Sequence, residues 1–234
     1  MAIKYILLDL DDTVYDFKCA ERSAISLVLV EHGMAPEPRY IERYSEINRD
    51  CWRMLEEGKM EREQILVERF RRFFAELSVS CNPERVKDLY EKKLSESAVF
   101  VEGAEELIAG LRGKYTLAIA TNGTARVQEK RISAGGLRDK VDYIFISEKL
   151  GHAKPSIKYF DACLAQLGAE QRAQVIIVGD SISSDIQGGI NAGIHTCLFK
   201  RSGECSPEGV QPEYTIGALC ELWSVLDRIN SLEP

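Results

Sequence analysis

The sequence predicts an α/β fold, a parallel sheet with helices on both faces, interrupted after its first strand by an all-helical insertion. Two patterns predict it. Short apolar runs alternate with stretches of helical period, and the first run leads into acidic residues, as a buried parallel strand ending at a site would. Between the first and second runs, residues 17–97 carry helical periods and no clear strand.

The runs are residues 3–10 (IKYILLDL), 115–121 (YTLAIAT), 141–146 (VDYIFI), 174–178 (QVIIV) and 194–199 (IHTCLF). Helices are expected over 104–112, 125–134, 156–167 and 182–192, and this alternation implies right-handed crossovers and a sheet covered on both sides. In the insertion, Leu66, Phe70, Phe73, Phe74 and Leu77 fall at helical spacing, as do Tyr44, Ile47, Cys51 and Leu55. Asn82 reads as an N-cap with Pro83 at the first helical position, ahead of Val86, Leu89, Tyr90 and Leu94. Four helices result, and their aromatic stripe reads as bundle core. The expected organisation is a catalytic core of residues 1–16 and 98–234 with a helical cap of 17–97, a lid for the carboxyl edge where open sheets place ligands.

A chain of 234 residues suits one core with a sizeable insertion, at about 150 residues per domain. With 45% hydrophobic and 29% charged residues it is globular rather than disordered or fibrous. A net charge of −7 argues against a broadly basic nucleic-acid-binding surface. No run approaches the roughly 18 apolar residues of a membrane span, and the amino terminus has no cleavage-site pattern, so a cytoplasmic location is the default expectation. The seven cysteines are scattered without a C-x-x-C pair, and the three histidines form no zinc motif. Any metal would therefore need hard oxygen ligands, which points to magnesium.

Four blocks could carry chemistry. Asp9-Leu10-Asp11-Asp12-Thr13 ends the first strand. A calcium loop starting at Asp9 fails, because Val14 and Ala20 stand where Gly and Glu are required. Two carboxylates two residues apart at a strand end can instead share a pocket, one attacking a phosphoryl group and the other moving a proton. Gly179-Asp180-Ser181 and Asp185 follow the fourth run, and Asp180 suits a magnesium ligand beside Asp9. A serine-esterase reading of Ser181 lacks a partner, since no Asp-x-x-His occurs and His195 is the only downstream histidine. Thr121-Asn122-Gly123 ends the second run, and a hydroxyl with backbone N–H groups at a strand-to-helix junction can hold a phosphate. Lys154, before Pro155, can offset charge among such groups, by about 4 kcal/mol for a pair roughly 4 Å apart at an effective dielectric near 20.

These blocks, in this order, resemble the haloacid dehalogenase (HAD) superfamily of aspartate-nucleophile hydrolases over nearly the whole chain. The resemblance implies a Rossmann-like core and a helical cap between the first two motifs. It implies Asp9 as nucleophile and metal ligand, Asp11 as general acid/base and a ligand through its carbonyl, and Asp180 as the third protein ligand for Mg2+. Thr121, Asn122 and Lys154 would hold the phosphoryl group, with Asp185 supporting the metal's water shell or Lys154. Dehalogenases proper resemble Asp-x-Tyr where this chain has Asp9-x-Asp11, so the phosphatase branch is favoured. The Asp9–Thr13 block and the stretch from Ser184 to Gly193 look most like the house-cleaning pyrimidine 5'-nucleotidases. The expected substrate is a small phosphorylated metabolite such as a nucleoside monophosphate. A phosphomutase acting on a sugar phosphate and a non-catalytic phosphometabolite-binding protein are the alternatives.

Overall fold

The computed structural model describes residues 2–201 and 210–231. The chain forms two compact units, Met1–Asp16 with Val99–Pro234, and Phe17–Ala98. The boundary thus falls one residue beyond the 17–97 read from the sequence.

The first unit opens with strand β1 (Tyr5–Leu8). The helical unit follows with α1 (Phe17–Glu31), α2 (Pro38–Glu56), α3 (Arg62–Glu76) and α4 (Pro83–Leu94). The first unit then resumes with α5 (Ala104–Leu111), β2 (Thr116–Thr121), α6 (Ala125–Ala134), β3 (Tyr143–Ile146), α7 (Ser147–Leu150), α8 (Ile157–Leu167) and β4 (Val175–Gly179). A π-helical turn (Ile182–Ile186), α9 (Gln187–Ala192), β5 (His195–Phe199), β6 (Tyr214–Ile216) and α10 (Leu222–Ser231) complete it.

Among the described residues the six strands form one parallel sheet in the order β3-β2-β1-β4-β5-β6. β1 lies between β2 and β4, where the strand order reverses direction, the position at which open α/β sheets bind ligands beyond their carboxyl ends. Register then decides which residues meet. Leu8 pairs with both Ile119 and Val178, so the next residues along, Asp9, Ala120 and Gly179, arrive at the same edge. Leu7, Ala118, Phe145 and Ile177 pack with Tyr159, Phe160 and Cys163 of α8 on one face of the sheet, and the alternate residues Ile6, Leu8, Ile176 and Val178 are buried as well. Truncating Leu7 to Ala in such a core would cost about 2–5 kcal/mol.

The helical unit is built as its periodicity predicted. Phe70 and Phe73 are fully buried, and Tyr44, Phe70 and Tyr90 meet with ring centroids 5.3–5.4 Å apart. Asn82 Oδ1 accepts from the Arg85 N–H at 2.9 Å, the cap that the Asn-Pro pair announces.

Two elements differ from the sequence expectation. The helix expected over 182–192 begins instead as a π turn. There the N–H groups of both Asp185 and Ile186 donate to the Ser181 carbonyl, at 3.0 and 3.1 Å. The wide turn carries Asp185 back over Gly179, where a Cβ would lie 2.2 Å from Asp185 Oδ2, so only glycine fits. The edge strand β6 is three residues long, too short to leave a period. Cys19, Cys51, Cys81, Cys163, Cys197 and Cys220 are thiols, and Cys205 lies outside the described residues. No described helix is long and apolar enough to cross a membrane.

Candidate active site

At the carboxyl edge, four distant stretches of sequence converge. Lys154 Nζ donates to Asp9 Oδ1 at 2.5 Å, to Asp185 Oδ1 at 2.6 Å and to the Ala120 carbonyl at 2.8 Å. The lysine side chain is 2% exposed, and all three ammonium hydrogens have an acceptor. Asp185 Oδ2 accepts from the Ser181 N–H at 3.1 Å, which pins the π turn to the strand end. Asp9, Asp180 and Asp185 each offer a carboxylate oxygen, and these oxygens all lie within 4.8 Å of one another.

Such crowding has an electrostatic signature. Burial first, then the charges of Asp185 and Asp11, push the Asp9 carboxyl up to about 8 against the pull of Lys154. Asp180 is pushed well up by burial and by Asp9, Asp185 and Asp12. Burial works against the Lys154 ammonium, but Asp185 and Asp9 outweigh it and raise it. Three ionised carboxylates and one ammonium leave a formal charge of −2 in a desolvated pocket, and a divalent cation with hard-oxygen preference neutralises it. The donor set therefore fits such an ion.

Asp11 behaves differently. Its side chain turns to α6, where Arg131 Nη1 donates to Oδ1 and Gln128 Nε2 donates to Oδ2, the latter at 2.6 Å. Asp11 is thus outside the three-carboxylate cluster, and its side chain is held for another task. The loop carrying it is tight, with the Asp12 N–H donating to the Tyr15 carbonyl at 2.7 Å and the Tyr15 N–H to Leu10 at 2.7 Å. Asp12 itself sits at φ 59°, and Arg201, just past β5, approaches its carboxylate at 3.5 Å and that of Asp16 at 3.3 Å.

Thr121 and Asn122 also divide their work. Thr121 Oγ1 accepts from the Gly123 N–H at 3.1 Å and from Gln128 Nε2 at 3.0 Å, so its own hydrogen has to be donated elsewhere. The Asn122 amide clasps the backbone of Lys154, donating to its carbonyl and accepting from its N–H, both at 2.9 Å. This side chain places Lys154 directly.

The esterase reading of Ser181 finds no support in the geometry. Its hydroxyl accepts from the Ser184 N–H at 3.2 Å as a cap, and His195 pairs with Glu213 at 2.7 Å. His195 lies three residues upstream of Leu198, the partner of Gly179, hence about 10 Å back along the strand at about 3.3 Å per residue. Sequence reasoning missed Gln128, Arg131 and Arg201. The first two carried a faint signal, an amide and a guanidinium three residues apart on the helix that follows Thr121-Asn122-Gly123.

A parallel sheet with aspartates converging beyond its central strand, and a lysine buried among them, defines an enzyme of the α/β hydrolytic type. Residues 6–199 match the haloacid dehalogenase-like hydrolase family, and the chain belongs to it. It is 32% identical to the HAD-hydrolase YfnB of Bacillus subtilis over 97% of both chains. It is likewise 32% identical to the pyrimidine 5'-nucleotidase YjjG of Escherichia coli, over 95% of this chain and 97% of that one. The pyrimidine 5'-nucleotidase PynA of Streptococcus pneumoniae is 31% identical over 100% of this chain and 98% of its own. The crystal structure of YfnB bound to magnesium superposes with a TM-score of 0.91 at 31% identity, covering 97% of this chain and all of that one.

Proposed function

We propose that this hydrolase is a magnesium-dependent phosphatase acting on small phosphate monoesters, with pyrimidine nucleoside 5'-monophosphates as the preferred class. The observation that carries the reading is the convergence of Asp9, Asp180 and Asp185 around Lys154 beyond β1 and β4. The names of YjjG and PynA, similar over nearly the whole chain, support the substrate class.

In this mechanism the Asp9 carboxylate attacks phosphorus, the ester P–O bond breaks, and an aspartyl phosphate forms. Asp11 protonates the departing alkoxide, then takes a proton from the water that attacks the acyl phosphate, so that inorganic phosphate leaves and Asp9 is restored. Lys154, fixed by Asn122 and Asp185, balances charge beside the nucleophile, and the Thr121 hydroxyl donates to a phosphoryl oxygen. Magnesium, held by Asp9, Asp180 and the Asp11 carbonyl with Asp185 in support, would supply Lewis-acid neutralisation of the phosphoryl oxygens.

A screen of phosphate monoesters with magnesium, including deoxyuridine and thymidine monophosphates, phosphoglycolate and hexose phosphates, tests the proposal. Phosphate release from the nucleotides that is lost in Asp9→Asn is the expected result. Release that survives this substitution overturns the nucleophile, and release only from the other esters overturns the substrate class.

A further inference from the structure

The side chains that hold Asp11 come from a helix to which the proposed mechanism gives no task. Gln128 and Arg131 lie three residues apart on α6 and are 2% and 1% exposed. Docking α6 needs no such residues, because Val127 and Ile132 already supply a buried apolar face. Burying a guanidinium and an amide is costly unless they find hydrogen-bond partners, and here Arg131 Nη1 and the Gln128 amide bond to one another and to Asp11. Arg131 Nη1 donates to Asp11 Oδ1 and also to Gln128 Oε1 at 3.0 Å. That bond fixes which way the Gln128 amide faces. Its two N–H groups then go to Asp11 Oδ2 at 2.6 Å and Thr121 Oγ1 at 3.0 Å.

The backbone is shaped for this arrangement. A Cβ on residue 123 would lie 2.0 Å from Gln128 Nε2, so the glycine after Asn122 gives the amide its path to Thr121 and Asp11. Arg131 further grips the Asp11 loop through Tyr15, whose ring lies 5.4 Å from the guanidinium carbon and whose hydroxyl donates to the Arg131 carbonyl at 3.4 Å. A carboxylate has about four acceptor sites, two on each oxygen. One donor on each oxygen fixes the plane of the carboxylate and still leaves each oxygen able to meet a reacting group.

We propose that Gln128 and Arg131 are positioning residues, holding the Asp11 carboxylate in place for proton transfer and, through Gln128, coupling it to the Thr121 hydroxyl. The inference rests on the phosphatase reading and on Asp11 as the proton-transfer group.

The test compares kcat/KM for two monoesters, an alkyl phosphate, whose leaving oxygen needs a proton, and p-nitrophenyl phosphate, which departs as a stabilised phenolate. This parameter reports steps up to the first P–O cleavage. In Arg131→Met the alkyl-to-aryl ratio should fall by about 10- to 100-fold, a fraction of the 10²–10⁴ that positioned proton transfer contributes. Arg131→Lys should recover part of it. Gln128→Leu should lower both esters through Thr121 and the alkyl ester further, and it carries the test if Arg131→Met does not fold. Added to Asp11→Asn, neither substitution should lower the ratio more than about 2-fold, the non-additivity expected of groups acting through one another. An unchanged ratio in the folded variants, or a full further fall in the Asp11→Asn background, overturns the positioning role while leaving the phosphatase intact. A wild-type protein that releases phosphate from neither ester overturns the phosphatase reading, and this inference with it.

Discussion

The two units each bury charge, and they space it differently. In the helical unit Glu21 accepts from Ser45 Oγ and from Asn48 Nδ2, the latter at 2.8 Å. Asn48 Oδ1 in turn accepts from Arg69 Nη1 at 3.0 Å. Arg69 also donates to the Leu66 carbonyl at 3.2 Å and lies 4.8–4.9 Å from the Phe70 and Tyr90 ring centroids. Glu21 reaches the guanidinium through a neutral amide, and the buried Glu91 acts on the same guanidinium electrostatically. In the α/β unit three carboxylates converge on a single ammonium, and the shortage of positive charge raises Asp9 and Asp180. Charges spaced by neutral groups organise a bundle, whereas three carboxylates crowded on one ammonium leave a demand that a proton or a cation meets.

Lys154→Met should sharpen the contrast most. Without the ammonium, Asp9 and Asp185 face each other unpaired, so phosphate release should drop on the order of 10³-fold, the upper end of what removing one transition-state donor costs. Stability measured in chelator should fall by about 3–5 kcal/mol, and magnesium should restore part of it in a thermal melt. Arg69→Met should destabilise the protein by a similar amount of about 3–5 kcal/mol, but here added magnesium should recover none of the loss. A recovery in the second variant equal to that in the first would erase the distinction between the two clusters.

Asn122→Ala should have a smaller effect. It removes two hydrogen bonds to the Lys154 backbone, at a cost of about 1–3 kcal/mol, and should lower kcat more than KM if the amide serves to place the lysine. Smallest should be the magnesium-induced rise in Tm of the wild type, a few degrees that grow from pH 6 to pH 8. The sign follows from Asp9. Its carboxyl, raised from 3.8 to about 8 without metal, binds more protons in the folded than in the unfolded state across that range. Metal-free stability therefore declines as pH rises, while the cation, competing with that proton, binds better. A shift that shrinks toward pH 8 would contradict the placement of the cation at Asp9.

Much of this molecule was legible before folding. The apolar runs marked five of the strands, the capped and aromatic periods marked four helices, and Asp9, Asp180, Lys154 and Thr121 stood at strand or loop ends. These features are local, since a period of two or 3.6, a Pro after an Asn, or an acid closing an apolar run each leaves its mark within about ten residues. The three-residue β6 left none. The π turn did not show either, because its width answers to Asp185 reaching Lys154, a partner 31 residues away in sequence.

The sequence by itself determined the fold class, the hydrolytic family and the residue types of the site, because those depend on patterning and on chemistry carried by single side chains. Only the tertiary structure decided what each one touches. Asn122 clasps the Lys154 backbone, Asp185 completes the carboxylate cluster, and Gln128 and Arg131 take hold of Asp11 across 117 and 120 residues of chain. Hydrogen bonds and charge pairing act over a few ångströms, and it is parallel register at the sheet's edge that brings such distant positions within that range.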